Sequence, residues 1–354
     1  MAMKKRTMAV AVLVGVCCAA GTLVPGPHAA TPAATPQIRG MGNAPPAALP
    51  PHGYAITKPV KGSDIPVELT FVFTRDEAYV AIGLRKPKGN GPFPAILMSA
   101  GNGAGGMPSV ERGVERLAPM VDRMVARGYV VAYAEPRNEI PDLYNKTERA
   151  ENLPDSVSGG QRTLKSSPTL DSDDFISMIQ YLQSLPYVDK DAVGAFGVSH
   201  SGELIMKAAS EITFGCGVPN EGAANEYLEI DIGPSAPRKG AEIQFQDEAL
   251  VRQRADKAKA MERIKRVRTP MLVMGRDQDH QQGVFKLTYD WLKEAGKDAT
   301  WVSFDHPVHG YAFIYRQQDG SFKPDPIQEK AWDVYMAFFD KHLKHAHGTT
   351  GAAK

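Results

Sequence analysis

The feature that most constrains this chain is a rhythm that begins near residue 93. Short apolar runs of strand length alternate with longer segments whose apolar residues recur at helical spacing. Residues 93–98 and 129–133 read as buried strands, and between them Val114, Leu117, Val121, Met124 and Val125 mark one face of a helix that stops at Gly128. The pattern repeats with a helix from about 171 to 182, a strand over 192–196 and a helix through Leu204, Ile205 and Ala208. Strand 270–274, helix 284–294, strand 300–304 and helix 326–343 complete it. Strands joined by helices of this length predict an α/β fold, a mostly parallel central sheet with helices on both faces. Two further runs, 69–74 and 79–84, are β-branched and aromatic, and they read as paired strands around Arg75-Asp76-Glu77.

The ends of the chain have a different character. Residues 1–30 carry Lys4, Lys5 and Arg6, then an uncharged apolar run from Met8 to Val24, then Pro25, Gly26 and small residues. That is the layout of a secretory signal peptide, with cleavage expected after Ala20 or nearer Ala30. The run falls short of the about 20 residues of a spanning helix, so no stable membrane anchor is expected after cleavage. Residues 31–53, rich in Pro and Ala, form a flexible lead-in, the folded domain is expected over 54–345, and 346–354 form a disordered tail. Within the domain, residues 219–266 interrupt the rhythm and are expected as a small helical insertion, with one charged helical stretch from Gln246 to Arg266. That insertion and the segment from Glu135 to Thr169 are expected to build the substrate pocket.

Charge and cysteine content exclude several functions. The 41 Lys and Arg nearly balance 40 Asp and Glu, giving +1, and loss of the three basic signal residues takes this to −2. No electrostatic footprint for nucleic acid follows. Cys17 and Cys18 lie in the signal, so Cys216 is left without an intramolecular partner even in an oxidising compartment. Neither paired CxxC motifs nor HExxH occurs, so no metal site is indicated. The loop Gly101 to Gly106 lacks the Lys-Ser/Thr of a phosphate-binding loop.

The chemistry concentrates in Phe196-Gly197-Val198-Ser199-His200-Ser201-Gly202. A serine on a sharp turn between a buried strand and a helix needs small residues two before and two after it, here Gly197 and Ser201, the latter standing where Gly is commonest. Its hydroxyl needs a base, and the base needs an acid to orient it. Later strands supply both: Gly275-Arg276-Asp277-Gln278-Asp279 follows one, and Asp305-His306-Pro307-Val308-His309-Gly310-Tyr311 follows the next. His306 and His309 compete for the base, Asp277 and Asp279 for the acid.

These ordered motifs, from about Leu69 to Leu343, resemble the α/β-hydrolase superfamily, closest in pattern to dienelactone-hydrolase-like and cutinase-like serine esterases. Dienelactone hydrolases proper use a cysteine nucleophile where Ser199 stands, so the resemblance implies a serine esterase. It makes Ser199 the nucleophile, His309, followed by Gly and an aromatic, the base, and Asp279 the acid. It makes the backbone amides of Asn102 and His200 the oxyanion donors, although many relatives carry His at the position of Ala100. No cofactor is implied.

The expected activity is hydrolysis of a small-molecule or polymer-derived ester in the periplasm or outside the cell. A peptidase or acyltransferase on the same scaffold is the rival, set lower because the chain lacks the large N-terminal propeller of prolyl-oligopeptidase relatives. A catalytically silent binding protein of the same fold is the third reading. The side chains of His200 and His280 are expected to pack or line the pocket, Trp301, Phe313 and Tyr315 to form core or pocket wall, and His342, His345 and His347 to lie in a fraying tail.

Overall fold

The computed structural model describes residues 55–75, 79–101, 106–136, 170–240 and 242–344. The signal and lead-in readings, Asn102 and the segment 137–169 lie outside the described residues. Nine strands form one sheet in the order β1-β2-β3-β5-β4-β6-β7-β10-β11. They are β1 (Ile56–Val60), β2 (Ser63–Phe73), β3 (Tyr79–Arg85), β4 (Phe93–Ser99), β5 (Val130–Ala134), β6 (Val188–Val198), β7 (Cys216–Asn220), β10 (Met271–Arg276) and β11 (Ala299–Phe304). From β5 to β11 every neighbouring pair is parallel; β1, β2 and β3 join at one end as an antiparallel meander. The expected pairing around Arg75 is present, with Phe73 opposite Tyr79.

Alternation along each central strand loads both faces. Ala95 and Leu97 of β4 point into one core while Ile96 and Met98 point into the other. Helices α1 (Gly106–Ala126) and α7 (Pro326–Phe339) cover the second face. Helices α2 (Leu170–Ser184), α3 (His200–Ala209) and α6 (Gln282–Glu294) cover the first. Asp325 caps α7 by accepting from Ile327 and Gln328, with Pro326 at its first turn. This is the mostly parallel α/β sheet with helices on both faces that the strand and helix rhythm predicts, and it fits the α/β-hydrolase fold that the resemblance implies.

Several elements differ from the sequence reading. Strand β7 was not expected, because Cys-Gly-Val-Pro-Asn carries no β-branched run; it is nonetheless wholly buried between β6 and β10. The interruption expected over 219–266 therefore leaves the sheet only at Glu221. Inside it, the single charged helix is two, α4 (Glu248–Arg254) and α5 (Lys257–Ile264), since Asp247 and Asp256 each cap a separate start. A two-stranded ribbon, β8 (Arg238–Lys239) with β9 (Glu242–Ile243), precedes them. Finally, His342 lies not in a fraying tail but in a π turn (Asp340–Lys344) that continues α7, its ring 4.5 Å from that of Phe338.

Because β4, β6, β7, β10 and β11 are parallel, their carboxyl ends open on one edge of the sheet. The strand order reverses around β4, whose neighbours β5 and β6 carry the chain to opposite sides. Ligand sites of doubly wound sheets form in that crevice.

Candidate active site

Ser199 sits between β6 and α3 with φ 58° and ψ −123°, a conformation costly for any residue with a side chain. The turn is that tight because α3 folds straight back over the strand. A Cβ on Gly197 would stand 2.4 Å from the carbonyl oxygen of Ser201, so only glycine fits there. The backbone is then pinned: Ser199 N–H donates to Asn220 O at 3.0 Å, and its carbonyl accepts from Gly202 and Ala223 at 2.9 and 3.2 Å. Among the described residues its Oγ has no hydrogen-bond partner. The hydroxyl is presented rather than used structurally.

The loop after β4 lies against it. Ser99 pairs with Gly197 across the sheet, and a Cβ on Gly101 would stand 3.2 Å from Ser199 Cβ and 3.7 Å from its Oγ. Ser201 fastens this loop, with its hydroxyl 2.8 Å from Ser99 Oγ and 3.3 Å from Gly101 O. A serine where glycine is commonest thus has a local task. His200 opens α3, where backbone N–H groups lack intrahelical acceptors, which suits the oxyanion role expected of its amide. The imidazole of His200 turns elsewhere: Nε2 is 2.6 Å from Asp171 Oδ2 and Nδ1 is 3.5 Å from Glu203 Oε2.

The loop after β11 brings up His309. Gly310 beside it packs on the strand end that carries Ser199, since a Cβ there would meet Val198 Cγ1 at 3.2 Å. His309 Nδ1 lies 3.1 Å from Glu221 Oε1 and 3.9 Å from Asp279 Oδ2, with 45% of its side chain exposed. Both carboxylates are fully buried. With Nδ1 turned to carboxylates, Nε2 is the ring nitrogen without a carboxylate partner among the described residues. Burial works against the imidazolium, but Asp279 and Glu221 together outweigh it and push the His309 pKa up to about 9. Desolvation also opposes ionisation of Asp279, yet His309, the Gln281 amide, His280 and Arg276 hold its pKa below the usual range.

The competing candidates have other partners. Asp277 accepts from Ser303 Oγ. His306 is buried, with Nε2 2.8 Å from Asp325 Oδ2 and its ring stacked on Tyr311. His280 lies with Nδ1 3.3 Å from Asp279 Oδ1. Phe313 is core, Tyr315 carries Arg116 over its ring, and Trp301 packs near Tyr289.

Sequence reasoning missed two residues here, Glu221 and Arg276. Glu221 is the first residue beyond β7, and the signal that could have found it is an acidic residue at the carboxyl end of a central strand. Glu221, Asp279 and His309 have ligand atoms within 4.8 Å of one another, close enough to hold a metal ion. Arg276, however, bonds both carboxylates, through Nε to Glu221 and Nη2 to Asp279. A cation is already provided there, so the set fits acid-base chemistry better than ligation.

Of the two segments expected to build the pocket, 137–169 lies outside the described residues. A cleft of about 880 Å³ adjoins His309, lined not by the insertion but by Arg116 of α1 and by Val308, Tyr315, Arg316 and Lys323 between β11 and α7.

With this geometry in view, comparison with known proteins is informative. The family model of the prolyl oligopeptidase family matches residues 161–345, which span β6, the Ser199 turn and the loops of Asp279 and His309. The chain belongs to the prolyl oligopeptidase family. Among solved structures, Pyrococcus horikoshii acylaminoacyl peptidase matches at 19% identity with a TM-score of 0.52, over 82% of this chain and 44% of that one. An esterase from Pyrobaculum calidifontis matches at 14% identity and TM-score 0.50, over 82% of this chain and 87% of that one. A protein described as a dienelactone hydrolase from Klebsiella pneumoniae matches at 12% identity and TM-score 0.46, over 79% of this chain and 100% of that one. This member of the prolyl oligopeptidase family therefore spans less than half the length of the acylaminoacyl peptidase it matches. Among curated proteins none matches the chain by sequence.

Proposed function

We propose that the protein is an exported serine hydrolase that cleaves a carboxylic ester through an acyl-enzyme, with Ser199, His309 and Asp279 as its triad. The observation that carries this reading is the strained Ser199 turn, whose hydroxyl has no hydrogen-bond partner among the described residues and stands at the head of α3. Strain at a residue that makes no structural hydrogen bond through its side chain is a cost that function explains.

In the first half-reaction Ser199 Oγ bonds to the ester carbonyl carbon as His309 Nε2 takes the hydroxyl proton. The negative charge that develops on the carbonyl oxygen meets the amide of His200, with that of Asn102 as the expected second donor. Collapse breaks the bond to the leaving alcohol, which departs with the proton from His309. Water then repeats the cycle on the acyl-enzyme and releases the acid. Asp279 and Glu221 stabilise the imidazolium while it exists.

A peptide substrate is the second reading, favoured by the family match and by the likeness to an acylaminoacyl peptidase. An ester is preferred because its carbonyl is intrinsically more reactive and its leaving alkoxide needs less help than an amine, which suits a half-exposed base. The export half of the proposal rests on residues 1–30 and is checked by sequencing the N-terminus of protein recovered outside the cytoplasm.

The test is labelling with a fluorophosphonate probe, mapped by peptide mass spectrometry beside Ser199→Ala. Adduct on Ser199 that disappears in the variant is expected, and p-nitrophenyl esters should then be turned over faster than acyl-amino-acid p-nitroanilides. Absence of adduct on folded protein overturns the hydrolase mechanism, and faster anilide cleavage selects the peptidase.

A further inference from the structure

We infer that Glu221, at the end of β7, is the carboxylate that holds and positions the His309 imidazole at hydrogen-bond distance, with Asp279 acting on it from farther off, chiefly as a nearby charge. The inference rests on the acyl-enzyme reading of the same site.

Distance separates the two acids. At 3.1 Å from Nδ1, Glu221 Oε1 is within hydrogen-bond reach, whereas Asp279 Oδ2 at 3.9 Å is not. Glu221 also grips the chain beside the imidazole, since its Oε2 accepts from the Gly310 N–H at 2.7 Å. One carboxylate thereby fixes both the ring and the backbone that carries it. Asp279 is bonded mainly to its own turn, with Oδ1 accepting from the Gln281 N–H at 2.7 Å and Oδ2 from Arg276.

Glu221 is also built to stay put. Arg276 Nε donates to Oε1 at 2.7 Å and Asn220 Nδ2 to Oε2 at 3.0 Å, so both oxygens have two donors each in a fully buried place. Its own N–H reaches Met274 O at 2.7 Å, which ties the end of β7 to β10. The residue holds φ at 48°, a left-handed conformation that glutamate adopts only when its surroundings impose it. Strain here recurs twenty-two positions after the strain at Ser199, on the next strand of the sheet.

The charges explain why two acids are present. Two buried carboxylates facing a single imidazole would hold it permanently protonated and useless as a base. The Arg276 guanidinium cancels one of them, leaving a net single negative charge while His309 is neutral and none once it takes the serine proton. Charge balance is thus reached at the stage where the imidazolium forms.

The experiment compares Glu221→Gln, Glu221→Asp and Asp279→Asn with wild type in kcat/KM for p-nitrophenyl acetate from pH 6 to 10. It also records the far-downfield His309 Nδ1–H proton resonance in the Ser199→Ala background. Glu221→Gln is expected to lower kcat/KM by 10²-fold or more, in kcat rather than KM, and to move the acidic limb to lower pH. Glu221→Asp should recover part of that loss, and Asp279→Asn should cost about tenfold. The downfield resonance should vanish with Glu221→Gln and persist with Asp279→Asn. The reverse ranking of the two acids, or equal losses, overturns the assignment, as does a resonance that survives without Glu221. If Glu221→Gln does not fold, the resonance in Glu221→Asp and Asp279→Asn decides alone. The resonance is read without turnover, so Glu221 can fail this test while Ser199 still labels, and the labelling can fail while the resonance behaves as expected.

Discussion

Ser99 Oγ and Ser201 Oγ lie 2.8 Å apart with neither residue exposed to solvent, joining the end of β4 to the first turn of the helix behind the nucleophile. The bond lets an elbow without the commonest glycine still set the distance between Ser199 and the loop expected to donate to the oxyanion. Ser201→Ala should leave Ser99 Oγ buried without a partner and cost about 1–3 kcal/mol of stability. It should also lower kcat about tenfold with KM little changed, because the loop is loosened where charge develops. Chemical denaturation beside steady-state kinetics measures both, and a variant with unchanged kcat would show that the clamp serves stability alone.

Gly197 faces the same elbow from the strand side. A Cβ would meet Ser201 O at 2.4 Å and Ser201 C at 2.6 Å, both backbone atoms that cannot swing aside. Gly197→Ala must therefore push α3 off the strand, at a cost of about 1–3 kcal/mol or more. Probe labelling of Ser199 should fall further than stability does, since the displaced atoms are those that aim the hydroxyl. Normal labelling in a stable Gly197→Ala protein would contradict the packing described.

Much of this site is legible in the sequence for an identifiable reason. Ser199, Asp279 and His309 each sit in a local motif directly after an apolar run, so strand, turn and chain order together point to them as candidates. Glu221 is different: its strand is Cys-Gly-Val-Pro-Asn, a run that owes its place to burial between two other strands rather than to intrinsic preference. No local pattern marks it, and its importance is visible only once β7 and β10 are neighbours. The same holds for β1, whose Ile-Thr-Lys-Pro-Val is mostly exposed and whose Pro59 is tolerated because the strand lies at an edge. The break between α4 and α5 was legible in principle, since Asp256 is a capping residue in the middle of the charged run.

Activity should rise with pH over an unusually alkaline range. His309 is a base only when neutral, and its pKa is raised to about 9 because Asp279 and Glu221 overcome the opposing effect of burial. Below that value the neutral fraction gains about tenfold per pH unit, and above it the gain ends. The dependence of kcat/KM on pH for a non-ionising ester should therefore climb from pH 6 and level near pH 9. A plateau already reached by pH 7 would mean that the carboxylates hold the imidazolium far less firmly than their distances imply.

The histidine of the elbow, His200, gives stability its own pH dependence, distinct from that of the chemistry. Burial opposes charge on His200, yet Asp171 and Glu203 prevail and raise its pKa to about 9, above the value near 6.5 expected when unfolded. A group raised in the folded state stabilises fully below its unfolded pKa and loses that contribution as pH climbs through the folded one. Asp171 runs the other way: His200, Lys207 and the Ser172 amide outweigh burial and depress it, so its contribution is present above the unfolded carboxylate range and lost on acidification. Stability from this pair is thus greatest between about pH 5 and 7. Asp171→Asn should cost about 1–3 kcal/mol at pH 7 by leaving the imidazole with a weaker acceptor. It should also flatten the fall of Tm between pH 7 and 10, because His200 then keeps only Glu203 to hold its proton more tightly when folded. Thermal melts of the two proteins across that interval decide the matter: parallel curves would place the source of any alkaline destabilisation outside the Asp171 and His200 pair.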